Sequence, residues 1–81
     1  MRHSKDYQAI LSLLIEQRAR ASMTQADVAR ALKKPQSFVS KYERGERRLD
    51  FAEVVALCRV LRIDARWLLA EFLKRTGNAD V

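Results

Sequence analysis

Apolar positions along the chain recur with a period near 3.6, so the sequence predicts helices and nothing else. In the segment after Ser4, Tyr7, Ile10, Leu11 and Leu14 follow the i, i+3, i+4, i+7 pattern of one buried helix face. With Ser4 as the N-cap, this predicts a first helix over about 5–20. Thr24 and Asp27 have the spacing of a cap and its N3 partner, and Met23 and Val28 flank them where a hydrophobic staple pairs N′ with N4. They open a second helix over about 25–32. The same grammar returns twice. Leu49 and Val54 bracket Asp50, which has Glu53 three residues on, and Ile63 and Leu68 bracket Asp64. These predict helices over about 51–61 and 65–75, the last closed by Gly77 as a C′ residue. Between them a short helix fits from Pro35, whose fixed φ and missing donor suit a helix start, to Gly45, with its core at about 36–44. No stretch alternates like a strand. The expected fold is all-α, one domain spanning 1–81, built from five short helices with tight connections.

Charge changes this picture because it is not spread evenly. The formal net charge is +6, and the stretch from Arg30 to Arg48 holds seven basic residues against Glu43 and Glu46 alone. The remainder of the chain is nearly balanced. A focused basic stretch selects a polyanion, nucleic acid first and an anionic membrane surface second. On a helical wheel for the third helix, Val39 and Tyr42 share the inward face. Ser37, Ser40, Lys41 and Arg44 point outward, with Gln36 on the shoulder and Phe38 at the side. Polar donors and positive charge without a carboxylate suit a groove of duplex DNA, where phosphates flank base edges. A membrane surface would need exposed apolar bulk beside the charge, which this helix lacks apart from Phe38.

Two short helices, TQADVARAL and PQSFVSKYERG, joined by a tight turn and followed by two amphipathic helices, resemble the lambda-repressor-like helix-turn-helix family, the Cro/C1 or XRE type. The matching segment runs from about Ile10 to Leu69, with the helix-turn-helix at about 24–44. The resemblance implies a compact five-helix transcriptional regulator that binds double-stranded operator DNA as a symmetric dimer, its third helix in the major groove. It implies base reading by Gln36, Ser37 and Lys41. Backbone contacts would come from Gln25, Ser40, Arg44, Arg47 and Arg48. An ion pair between Arg18 and Glu43 is expected on both grounds, since Arg18 follows Leu14 by four residues on the apolar face and needs an acceptor. One position departs from the family pattern: Lys33 stands where glycine is common in the turn, and a left-handed backbone there would carry modest strain.

Other chemistries find little support. The single cysteine, Cys58, allows no intrachain disulfide, and a zinc cage has no ligand cluster to build on. His3 stands alone near the terminus. No phosphate-cradling glycine loop and no nucleophile with a base beside it occurs, so neither enzyme activity nor a cofactor is expected. Cys58 between Leu57 and Leu61 reads as a small buried hydrophobe, and Val28, Leu32, Val39 and Tyr42 as core. For Arg47 and Arg48 a solvated surface is the plainer reading, weakened by their place just beyond the third helix. The segment MRHSKDYQ lacks the hydrophobic run that directs secretion, so a cytoplasmic protein is expected. Trp67, Leu69, Phe72 and Leu73 on the last helix carry more apolar bulk than a helix end requires and are expected to dimerise. The competing reading is a protein-interaction module, such as an antitoxin whose main role is to bind a partner protein. That role favours acidic or apolar residues on the outer face of the third helix.

Overall fold

The computed structural model describes residues 4–77; His3 lies outside them. Five helices follow in order: α1 (Lys5–Arg20), α2 (Gln25–Leu32), α3 (Gln36–Glu43), α4 (Phe51–Leu61) and α5 (Ala65–Arg75). No strand is present among the described residues. Four of the five helix starts are capped by the side chains that the sequence offers. Ser4 Oγ accepts from the Tyr7 amide at 3.1 Å, and Asp64 from the Arg66 amide at 2.7 Å. Thr24 with Asp27, and Asp50 with Glu53, form reciprocal capping boxes. The exception is α3, where Pro35 occupies the N-cap without a side-chain bond. Its backbone is already extended, and the ring fixes φ for the turn that enters the helix.

Four helix ends share one device. After α1, α2, α3 and α4 the chain passes through a left-handed residue, Ser22, Lys33, Gly45 and Arg62 respectively. In each case the next amide reaches back five residues, as Lys34 does to the Ala29 carbonyl at 2.9 Å and Glu46 to that of Lys41 at 2.8 Å. This is the Schellman arrangement, which satisfies carbonyls that the last helical turn leaves open. Only one of the four positions is glycine. Lys33, at φ 59° and ψ 43°, and Arg62, at φ 58° and ψ 43°, hold a conformation that costs an L-residue about 1–2 kcal/mol. The greater unfolded-state freedom of glycine offsets part of that. Lys33→Gly and Arg62→Gly are therefore each expected to stabilise the fold by about 0.5–1 kcal/mol, seen as a higher urea midpoint with an unchanged slope. A lower midpoint for both would mean that the left-handed ends carry no strain.

The core lies where α1 meets α3, α4 and α5 and where α2 meets α3 and α4. Leu13, Leu14, Val28, Val39, Tyr42, Leu57 and Cys58 are fully buried, with Leu11, Ala29, Leu61 and Leu68 close behind. Met23, Leu49, Val54 and Ile63, the staple residues, pack against that core. Leu13 was not part of the one-face pattern of α1, yet it is wholly enclosed, because α1 is covered on more than one side. Burial pushes the Tyr42 hydroxyl and the Cys58 thiol up from their usual acidities; a thiol so placed is inert packing rather than a nucleophile. Across the outside, Arg75 of α5 grips Glu16 of α1 through two bonds of 2.8 Å. The hydroxyl of Tyr7 on α1 accepts from the Leu49 amide at 2.8 Å, which pins the α3–α4 loop.

Candidate nucleic-acid interface

The α2–α3 pair is fixed by one carboxylate. Glu43, the only acidic residue of α3, is turned inward, its side chain 6 % exposed beside a 20 % exposed Arg18. Arg18 meets it with a two-pronged contact, Nε to Oε2 at 2.7 Å and Nη2 to Oε1 at 3.0 Å. The third guanidinium nitrogen donates to the Met23 carbonyl at 3.0 Å, in the α1–α2 turn. Glu43 Oε1 also accepts from Gln25 Nε2 at 2.8 Å. Helices α1, α2 and α3 thus converge on a single group, with the planar geometry that Arg and carboxylate share. The bond from Glu43 holds the Arg18 guanidinium above its ordinary basicity. Of the two hydrogens on the Gln25 side-chain amide, one is engaged by Glu43.

With Glu43 withdrawn, the outer face of α3 carries no carboxylate. Gln36, Ser37 and Lys41 are exposed there, one turn apart along the axis. Ser40 is half-buried and gives its hydroxyl proton to the Ser37 carbonyl at 3.3 Å. Phe38 packs edge-on against Tyr42, with ring centres 5.6 Å apart. Its ring also carries the Arg47 guanidinium at 4.6 Å and the Lys34 ammonium at 5.4 Å. It therefore serves as an aromatic base on which two cations are gathered. Arg48 sits over the Tyr7 ring at 4.5 Å. Arg47 is further tied to Glu53 at 2.9 Å and to the Arg48 carbonyl at 2.7 Å. Arg44 is paired with Glu46. The basic residues past α3 are thus held in place by rings and carboxylates rather than waving in solvent.

A second surface lies elsewhere on the fold. Tyr7 and Ile10 of α1, Phe51, Val54 and Val55 of α4, and Leu69 and Phe72 of α5 line an apolar groove of about 430 Å³. Phe51 is 84 % exposed and Leu69 56 %, which is far from ordinary for side chains of this size.

A family model described as helix-turn-helix matches residues 14–68, more than half of the chain. Among solved structures, an XRE-family like protein from Pseudomonas syringae pv. tomato str. DC3000 is similar, at 46% identity and a TM-score of 0.83 over 88% of this chain and 87% of that one. A comparison with curated proteins gives no match. The chain belongs to the XRE, lambda-repressor-like helix-turn-helix family. XRE proteins are DNA-binding transcriptional regulators, and the all-α, five-helix fold is the one the resemblance implied. Among the described residues no group of His, Cys, Asp and Glu is clustered to hold a metal, and no helix is long and apolar enough to cross a membrane.

Within this XRE domain the structure brings Arg18, Gln25 and Glu43 together in one hub and sets Gln36, Ser37 and Lys41 side by side on an open face. It gathers Arg44, Arg47 and Arg48 on the loop that follows. Of the residues expected to dimerise, Leu69 and Phe72 meet in the groove, and Leu73 is half-buried nearby on the helix. Trp67, two residues before Leu69 and so about 160° round the helix, is not part of the groove. Phe51, Val54 and Val55 were not anticipated. Their signal was available, since FAEVVALCRVL is apolar round most of its circumference and one face cannot absorb all of it. Phe38 was missed as a cation platform because its two cations come from the turn and the loop on either side of α3.

Proposed function

We infer that this protein is a sequence-specific regulator that binds double-stranded DNA, lays α3 in the major groove and recognises an inverted-repeat operator as a dimer. The observation that carries the reading is the outer face of α3. It offers Gln36, Ser37 and Lys41 to base edges, while the helix's one carboxylate is buried under Arg18 and Gln25. Glutamine matches the paired donor and acceptor of adenine, and lysine the N7 and O6 acceptors of guanine. Around that face Gln25, Ser40, Arg44, Arg47 and Arg48 would meet phosphates and fix the register of the helix. Selection of bound duplexes from a random pool tests the whole reading. The expected product is an inverted repeat with a fixed centre spacing, and a pool that yields no enriched sequence would refute it.

The dimer is supported by the apolar groove. Phe51, Leu69 and Phe72 form one contiguous patch that a two-fold axis can set against its own copy. Leu73 lies on the flank, and an interface involving Trp67 must wrap round α5. The protein is expected to sediment as a dimer at micromolar concentration. Leu69→Asp should give a folded monomer that binds the selected operator at least tenfold more weakly. A wild-type monomer both with and without DNA would remove the dimer from the proposal.

A further inference from the structure

Glu46 is an exposed acidic side chain set among the basic residues beyond α3, between Arg44 and Arg47, and its place is well defined. It follows Gly45, the left-handed residue that closes α3, and its amide is tied to the Lys41 carbonyl at 2.8 Å. Its carboxylate accepts two bonds from Arg44, Nε at 2.9 Å and Nη2 at 3.0 Å. Both side chains are more than half exposed. The Arg44 bonds, and more weakly the field of Lys41, hold the Glu46 carboxyl below its ordinary range, so it stays charged wherever DNA is bound. Such a pair in water contributes little to folding. Its effect is on what Arg44 can do for an incoming phosphate. Two of the guanidinium donors are occupied, and the pair as a unit carries no net charge.

We propose that Glu46 is a specificity-determining residue, a latch that keeps Arg44 from phosphate on unmatched DNA and yields it only when α3 is seated on the operator. The inference rests on the DNA-binding reading above. On a random duplex the protein lies loosely along the backbone, and Arg44 stays with Glu46, releasing no counterion. On the operator, base contacts through Gln36, Ser37 and Lys41 hold α3 deep in the groove. The backbone is then close enough for a phosphate oxygen to displace the carboxylate from the guanidinium, and one more phosphate is neutralised. Non-specific affinity is lowered without an equal loss on the operator.

Glu46→Gln opens the latch with no change of size, and Arg44→Ala removes what it holds. Binding is measured by titration in several salt concentrations, on the operator recovered by selection and on an unrelated duplex of the same length. For Glu46→Gln, affinity for the unrelated duplex should rise by roughly five- to tenfold near 0.1 M salt and its log–log salt slope steepen by about 0.9, the value of one further phosphate. Operator affinity should rise less, so the ratio between the two falls. In Arg44→Ala/Glu46→Gln the steepening should vanish. Unchanged binding of the unrelated duplex by Glu46→Gln overturns the proposal. So does an equal rise on both duplexes, which would make Glu46 a general repulsive charge, and so does a steepening that survives loss of Arg44. Failure of the wild type to bind any duplex would instead overturn the DNA-binding reading. Matching thermal melts confirm that each variant is folded.

Discussion

Glu43→Ala is expected to destabilise the domain by about 3 kcal/mol, a large share of the roughly 4–12 kcal/mol that a chain of this length possesses. Removal of the carboxylate leaves the Arg18 guanidinium in a site four-fifths closed to water and deprives the Gln25 amide of its acceptor. A buried charge that loses its partner costs far more than the pair gains. For a domain of this size the melting temperature should drop by more than about 10 °C. The double variant Arg18→Met/Glu43→Leu should recover most of the loss, because apolar side chains of similar volume incur no desolvation of charge. Chemical denaturation of the two singles and the double gives the coupling directly. A loss below about 1 kcal/mol for Glu43→Ala would place the pair with ordinary surface bridges.

Lys41→Ala should cost about 1–3 kcal/mol on the operator and relax the preference at one symmetric pair of positions, with non-specific binding only slightly weaker. The ammonium lies one turn beyond Gln36 and Ser37 on the open face and makes no side-chain hydrogen bond within the described residues, so nothing is unfolded by its removal. Arg47→Ala gives the contrast. As a backbone contact it should weaken every duplex alike and flatten the salt slope by about 1. Because Arg47 also bonds Glu53, its binding curves are read beside a melt. If Lys41→Ala kept the site preferences and lowered all affinities equally, Lys41 would be a phosphate contact and base reading would fall to Gln36 and Ser37.

The features legible in the sequence were those with short, fixed spacing. Thr24 with Asp27 and Asp50 with Glu53 are three residues apart and need no knowledge of the rest of the chain, so helix boundaries followed from them. The reach from Arg18 to Glu43 was legible for another reason: a charged side chain on an apolar face demands a partner, and α3 offered a single carboxylate. The family pattern marks Lys33, but nothing in the sequence marks Ser22 or Arg62. A left-handed helix end without glycine or asparagine has no side-chain signature, because the packing beyond the turn selects it. The pairing of Arg47 with Glu53 and of Arg44 with Glu46 was equally hidden. Several carboxylates lie within reach of each arginine in sequence, and the loop path decides among them. The sequence places Phe51 at the start of a helix without marking it as surface, since position along a helix does not say which neighbours are missing.

Tyr7 belongs to two surfaces at once. Its ring lines the apolar groove and lies under the Arg48 guanidinium, and its hydroxyl holds the Leu49 amide of the loop beyond α3. A side chain that reshapes the groove here also resets the floor beneath an arginine of the basic loop. Tyrosine to phenylalanine is the one small step that separates the two, since it keeps the ring and drops the tether. A substitution that abandons the aromatic ring is therefore expected to disturb the groove and the loop together.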